Sequence, residues 1–126
     1  MNSLYILLIM FFCHIVDDYY LQKGILAMLK QKSWWKENSP QDLYKYDYIM
    51  GLCMHAFSWS FVVHIPLMII TKLSCVWLII SILINAIIHG IIDDLKANRM
   101  KINLIIDQLL HMLQIEIIFI LYMCIM

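Results

Sequence analysis

Four apolar stretches, each close to the length of a membrane crossing, divide this 126-residue chain: about residues 4–22, 48–70, 75–96 and 103–126. A helix of ~20 apolar residues spans the ~30 Å hydrocarbon core of a bilayer. Backbone polar groups in lipid must be satisfied within their own segment, so stretches of this kind fold as helices. The hydrophobic fraction is 63% and mean hydropathy +0.81, against roughly 45–50% apolar residues in soluble domains. The bilayer is therefore the natural solvent. The expected fold class is all-α integral membrane, an antiparallel four-transmembrane-helix bundle in which residues 1–126 form a single membrane domain.

The connections differ in character. Residues 71–74 read as a tight hairpin and 97–102 as a short basic turn. In the long connection, Ile25, Leu26, Met28, Leu29, Trp34 and Trp35 interleave with Lys30, Lys32 and Lys36. This pattern predicts an interfacial amphipathic helix over about residues 24–36, between the first two membrane helices. Residues 37–40, ending in Pro40, break it, and Tyr44, Tyr46 and Tyr48 lead into the second stretch as an aromatic belt. Pro66 predicts a kink near the end of that stretch.

Charge sets the orientation. With alternating helices, Lys23, Lys30, Lys32, Lys36, Lys45, Lys96, Arg99 and Lys101 share one side, and Lys72 alone lies on the other. The positive-inside rule places the charged connections in the cytoplasm and both termini outside, in a multi-pass protein of the cell's inner (cytoplasmic) membrane. The start lacks a basic n-region and runs into His14, Asp17 and Asp18, so the first stretch is expected to be retained as a helix. Net charge of zero argues against nucleic acid as a partner. Cys13, Cys53, Cys75 and Cys124 show no metal-binding spacing and read as free packing residues.

Each apolar stretch carries a histidine at a similar depth. At ~1.5 Å rise per residue, His14, His55, His89 and His111 all lie roughly 10–15 Å from the cytoplasmic helix ends. Asp18, Asp93 and Asp107 lie roughly 5–9 Å from those ends. The order His-then-Asp in the first and third stretches reverses in the fourth, as alternating helix direction requires. Residues three or four apart share a helix face. This gives the stripes His14/Asp18/Gln22, Asn85/His89/Asp93/Lys96 and Asp107/His111/Gln114, with Gly51, His55 and Trp59 on the second helix.

Imidazoles and carboxylates from facing helices are the usual ligands of metal centres in bundle cores. The expected cofactor is a divalent transition metal, zinc ahead of iron or manganese, held by His14, Asp18, His55, His89, Asp93, Asp107 and His111. Seven candidates exceed one structural zinc site, leaving room for a second ion or for aspartates that orient histidines. Two alternatives stand beside this. One is a polar network that fixes helix register, with Lys96 neutralising Asp93. The other is a proton or ion path. An ionised aspartate at the bilayer centre costs roughly 2.5–3.5 kcal/mol, while intramembrane hydrogen bonds average about 0.6 kcal/mol, which favours a compensating cation. Asp17 and Asp94 sit about 100° off their stripes on an ideal helix and are expected to be satisfied at the interface or by Lys and Arg neighbours. His64 reads as a packing histidine near the outer end. Glu116, near mid-membrane, has no evident role.

These stripes carry a family resemblance. His14-Ile-Val-Asp-Asp18-Tyr-Tyr-Leu-Gln22, Leu52-Cys-Met-His55-Ala, His89-Gly-Ile-Ile-Asp93-Asp-Leu-Lys96-Ala and Asp107-Gln108-Leu-Leu-His111 together resemble a bacterial and phage integral-membrane family, domain of unknown function 3307. The likeness spans nearly the whole chain in the same order. Tyr19 replaces a phenylalanine, and Trp59 stands where members often place another histidine, which leaves a second-metal ligand set one short. A looser likeness links the chain to bacterial inner-membrane proteins described as metal-dependent hydrolases. The functional expectation is a membrane-embedded metal-binding protein, a metal-dependent hydrolase acting on a lipid-linked or phosphorylated substrate at the cytoplasmic leaflet. Asp18, Asp93, Asp107 and Lys96 would be its catalytic groups. The alternative is a non-enzymatic membrane protein whose His/Asp core serves helix packing, homo-oligomerisation or ion passage.

Overall fold

The computed structural model describes residues 3–70 and 74–125, and no strand occurs among them. Four long helices dominate: α1 (Ser3–Val16), α4 (Asp47–Ile70), α5 (Cys75–Ala97) and α6 (Leu104–Ile125). The short helices α2 (Ile25–Leu29) and α3 (Lys32–Asn38) lie between α1 and α4. α1 packs against α4 and α6, α5 packs against the same two helices, and α2 lies on α4. With a π-helical continuation of α1 to Leu21, all four long elements are long and apolar enough to cross a membrane. The expected hairpin at 71–74, and with it Lys72, falls on residues 71–73, outside the described residues.

Two departures from the expected elements matter for the site. The helix expected over residues 24–36 is two helices, because the chain breaks at Lys30–Gln31. The Leu29 carbonyl there accepts a 2.8 Å hydrogen bond from the Trp35 indole, closing α2. The first long helix also changes register: Asp17–Leu21 forms a π turn, which rotates side chains relative to an α-helical stripe. Gly24, at φ 69°, then reverses the chain towards α4. α4 itself runs unbroken through Pro66 to Ile70.

Glycine also decides how α2 seats. A Cβ on Gly51 of α4 would strike the Leu29 carbonyl group, falling 2.6 Å from its carbon and 3.0 Å from the Lys30 nitrogen. Without a side chain at position 51, the C-terminal end of α2 lies directly on α4. Asn98 fastens the same end from the other direction: its side chain accepts from the Lys32 amide at 2.8 Å and donates to the Lys30 carbonyl at 3.2 Å. Asn103 starts α6 by accepting from the Ile106 amide at 2.9 Å.

The interior is divided along its length. One half is an apolar core of Ile6, Met10, Trp59, Val63, Leu67, Ile115, Ile118 and Tyr122. The other half buries His14, Asp17, Gln22, His55, His89, Asp93, Asp107 and His111. The outer faces carry exposed Leu8, Phe12, Phe57, Phe61, Ile84, Ile87, Leu113 and Ile120 among many others. Polar groups inside and large apolar groups outside invert the arrangement expected in water.

Candidate metal centre

The four histidines lie side by side. Ring centroids are 5.7 Å apart for His14 and His111, 4.2 Å for His111 and His89, and 5.2 Å for His89 and His55. Trp59 stands among them, stacked on His89 at 4.1 Å. Its indole N–H donates to His14 Nδ1 at 2.7 Å, so the His14 proton resides on Nε2, which donates to Gln108 Oε1 at 3.1 Å. Both nitrogens of His14 are thus engaged.

His55 is prepared differently. Its Nδ1–H donates to Gln22 Oε1 at 2.5 Å, and the Gln22 amide in turn donates to Asp17 and, at 3.2 Å, to the His55 carbonyl. Asp17 also accepts from Ser58 Oγ at 2.7 Å. This relay fixes the tautomer and leaves the His55 Nε2 lone pair facing the interior, as outer partners of metal-binding histidines commonly do. Asp17, expected off the stripe, is fully buried because the π turn swings it inward.

The lone pair of His55 Nε2 meets Asp93 Oδ2 at 2.7 Å and His89 Nε2 at 3.3 Å. Two acceptors that close repel unless a cation joins them. Lys30 supplies one: its ammonium donates to His55 Nε2 at 2.8 Å and to Asp93 Oδ2 at 2.5 Å. Lys96, expected beside Asp93, pairs instead with Asp107 Oδ2 at 2.6 Å, because Asp93 already faces Lys30. Asp94 pairs with Arg99 at the surface. His64 is fully buried, donating from Nδ1 to the Ser60 carbonyl and accepting from Ser81 Oγ at 2.9 Å. Glu116 is exposed on the outer face of α6.

Asp18 differs from Asp93, Asp94 and Asp107, which each pair with a Lys or Arg. No ammonium or guanidinium pairs with it among the described residues. Its Oδ2 lies 3.5 Å from His14 Nδ1 and its Oδ1 3.6 Å from His55 Nε2, while Oδ1 is buried without a hydrogen bond. His89 Nδ1, Asp107 Oδ1 and both nitrogens of His111 also lack a hydrogen bond. His111 Nε2 stands 3.4 Å from Asp93 Oδ1 and 3.5 Å from Asp107 Oδ1.

Two groups could hold a cation: Asp18, His55 and His89, and His89, Asp93 and His111. In each, one ligand atom per residue lies within 4.8 Å of the others. Ligands about 2.1 Å from a tetrahedral zinc sit about 3.4 Å apart. The observed pairs His55–His89 at 3.3 Å, His111–Asp93 at 3.4 Å and Asp18–His55 at 3.6 Å match that spacing. His89 belongs to both groups. His14 and Asp107 lie beside these groups without joining either. Besides Asp17, sequence reasoning missed Lys30, in the amphipathic connection, as a site residue. Its one signal was Gly51, which marks close approach of another chain segment on the His55 face.

An all-helical chain with four membrane-length helices and a His/Asp interior is the class this arrangement defines. The chain belongs to the family described as "Protein of unknown function (DUF3307)", whose profile matches residues 6–126. Neither a curated protein nor a solved structure matches it.

Proposed function

We propose that this is an antiparallel four-helix protein of the cytoplasmic membrane that binds a divalent transition metal, zinc first, and hydrolyses a lipid-linked or phosphorylated substrate. The observation that carries the metal reading is Asp18: a buried carboxylate oxygen without a hydrogen bond, beside two imidazole nitrogens, with no Lys or Arg paired to it. Asp18, His55 and His89 would hold a divalent ion there. Exposed apolar side chains around the four long helices support membrane insertion. The lysine-rich ends then face the cytoplasm.

A bound divalent metal polarises a carbonyl or phosphoryl oxygen and lowers the pKa of its water to about 7. The chain's own residues supply the rest. Lys96, with about a third of its side chain exposed, lies at the rim and holds an anionic head group. Asp107 anchors Lys96 through Oδ2 and offers its free Oδ1 as a proton acceptor. The Asp17–Gln22–His55 relay keeps the His55 tautomer fixed.

One observation favours the second reading, a structural network. Lys30 already joins His55 Nε2 and Asp93 Oδ2, as a metal would. Elemental analysis of protein purified in detergent separates the two. The hydrolase reading expects about one transition metal per chain, retained in His14→Ala and lost in His89→Ala, together with phospholipid or phosphate-ester hydrolysis lost in Asp107→Asn. Metal-free protein of undiminished stability would sink it.

A further inference from the structure

One lone pair in the centre is claimed twice. His55 has a single nitrogen to offer, because Nδ1 is engaged with Gln22 and only Nε2 faces the interior. The Lys30 ammonium takes that nitrogen at 2.8 Å. The same nitrogen belongs to the group of Asp18, His55 and His89, with Asp18 Oδ1 at 3.6 Å and His89 Nε2 at 3.3 Å from it. A neutral imidazole has one acceptor nitrogen. It cannot accept from an ammonium and ligate an ion at once.

The group of His89, Asp93 and His111 is not closed in this way. Asp93 meets Lys30 through Oδ2 at 2.5 Å and His111 through Oδ1 at 3.4 Å. It therefore keeps a carboxylate oxygen outside the Lys30 contact, and the conflict falls on the Asp18 group alone. Charge points the same way. Asp18 Oδ1 and Asp93 Oδ2 lie 3.6 Å and 2.7 Å from His55 Nε2. With neutral imidazoles, a divalent ion balances these two carboxylates. An ammonium held beside it would leave one positive charge over in a largely buried site, where uncompensated charge is costly.

Lys30 can leave while its backbone stays in place. Its carbonyl accepts from Asn98, the Leu29 carbonyl accepts from Trp35, and Leu29 lies against Gly51. What remains free is a flexible four-carbon stem, already partly in contact with solvent. We propose that Lys30 is a tethered cation of the metal centre: its ammonium and a divalent ion held by Asp18, His55 and His89 exclude one another, and Lys30 swings out to the rim when that site fills. The inference rests on the metal reading above and names how that site is regulated. Magnesium and calcium prefer oxygen ligands to imidazole, so they leave Lys30 in place. The same side chain thus screens which ions enter.

The test uses the full chain in nanodiscs, stripped with a chelator and then titrated with zinc. An amine-reactive reagent followed by mass spectrometry reads Lys30, with Lys45 and Lys101 as internal controls. Modification of Lys30 is expected to rise in proportion to bound zinc, with the controls unchanged and no rise with magnesium. Zinc affinity is expected to be about tenfold higher in Lys30→Met, the effect of no longer breaking one hydrogen bond to a charged group. Zinc that binds while Lys30 stays protected overturns the exclusion and leaves the metal reading standing, with the ion at His89, Asp93 and His111. Zinc bound by Lys30→Met alone supports the exclusion, the ammonium then holding the parent site against the ion. No zinc in either protein removes the metal reading and the proposal with it. Should Lys30→Met fail to fold, labelling of the parent chain still decides.

Discussion

The Lys30 ammonium, at the end of a five-residue helix, lies 2.5 Å from Asp93 Oδ2 on α5, 63 residues away in sequence. The Asp93 side chain is 4% exposed and that of Lys30 15%, so this ion pair is largely removed from solvent. Removing one partner of such a pair strands the other.

Lys30→Met is therefore expected to lower stability by about 3 kcal/mol in metal-free protein. Added zinc should recover most of the loss, because the two candidate groups, one holding His55 and the other Asp93, would place positive charge beside both. Thermal unfolding in detergent, with and without zinc, reads both effects. A variant equally unstable with zinc would show that the ammonium has no metal substitute.

Gly51→Ala tests how Lys30 reaches the centre. The added methyl meets the Leu29 carbonyl, and overpacking of this kind costs about 1–3 kcal/mol. The end of α2 must lift, and Lys30 with it. Amine-reactive reagents should then modify Lys30 faster than in the parent protein, with Lys45 as an internal control.

The Asp17–Gln22–His55 relay predicts a metal effect without a metal contact. Asp17→Ala frees Gln22 and with it the His55 ring. Loss of such outer partners typically weakens metal binding by about 10- to 100-fold. Competition with a chromogenic chelator measures it. Unchanged affinity would assign Asp17 to folding alone.

Trp59→Phe separates packing from hydrogen bonding. The stack on His89 is retained, but His14 Nδ1 loses its donor. An unpaired buried acceptor costs about 1–3 kcal/mol. Thermal unfolding should show a loss in this range, and metal content should stay unchanged.

Zinc affinity should fall on acidification. Imidazole and carboxylate ligands bind metal only when deprotonated, so protons compete with the ion. Isothermal titration between about pH 8 and about pH 5, where free imidazoles take up a proton, should show steady weakening. Constant affinity over that range would place the ion away from the histidines.

The depth of His14, His55, His89 and His111 was legible because helical rise is the same in every long helix. Their contact was legible from depth together with the polar stripes that His14, His89 and His111 share with Asp18, Asp93 and Asp107. Lys30 was not legible, since its position depends on where α2 docks, and an amphipathic pattern says only that one face is apolar. Asp17 was hidden by the π turn, which shifts side-chain register without changing composition. The partner of Lys96 was also misjudged: Asp93 and Asp107 sit at similar depth, and only the occupancy of Asp93 by Lys30 decides between them.

Asn98 joins the α2–α3 junction to the turn between α5 and α6, through the Lys32 amide and the Lys30 carbonyl. The two connections at this end of the molecule are therefore one joint. A graft that exchanges either loop between relatives would carry half of that joint and unseat Lys30, so the pair of loops must be transplanted together.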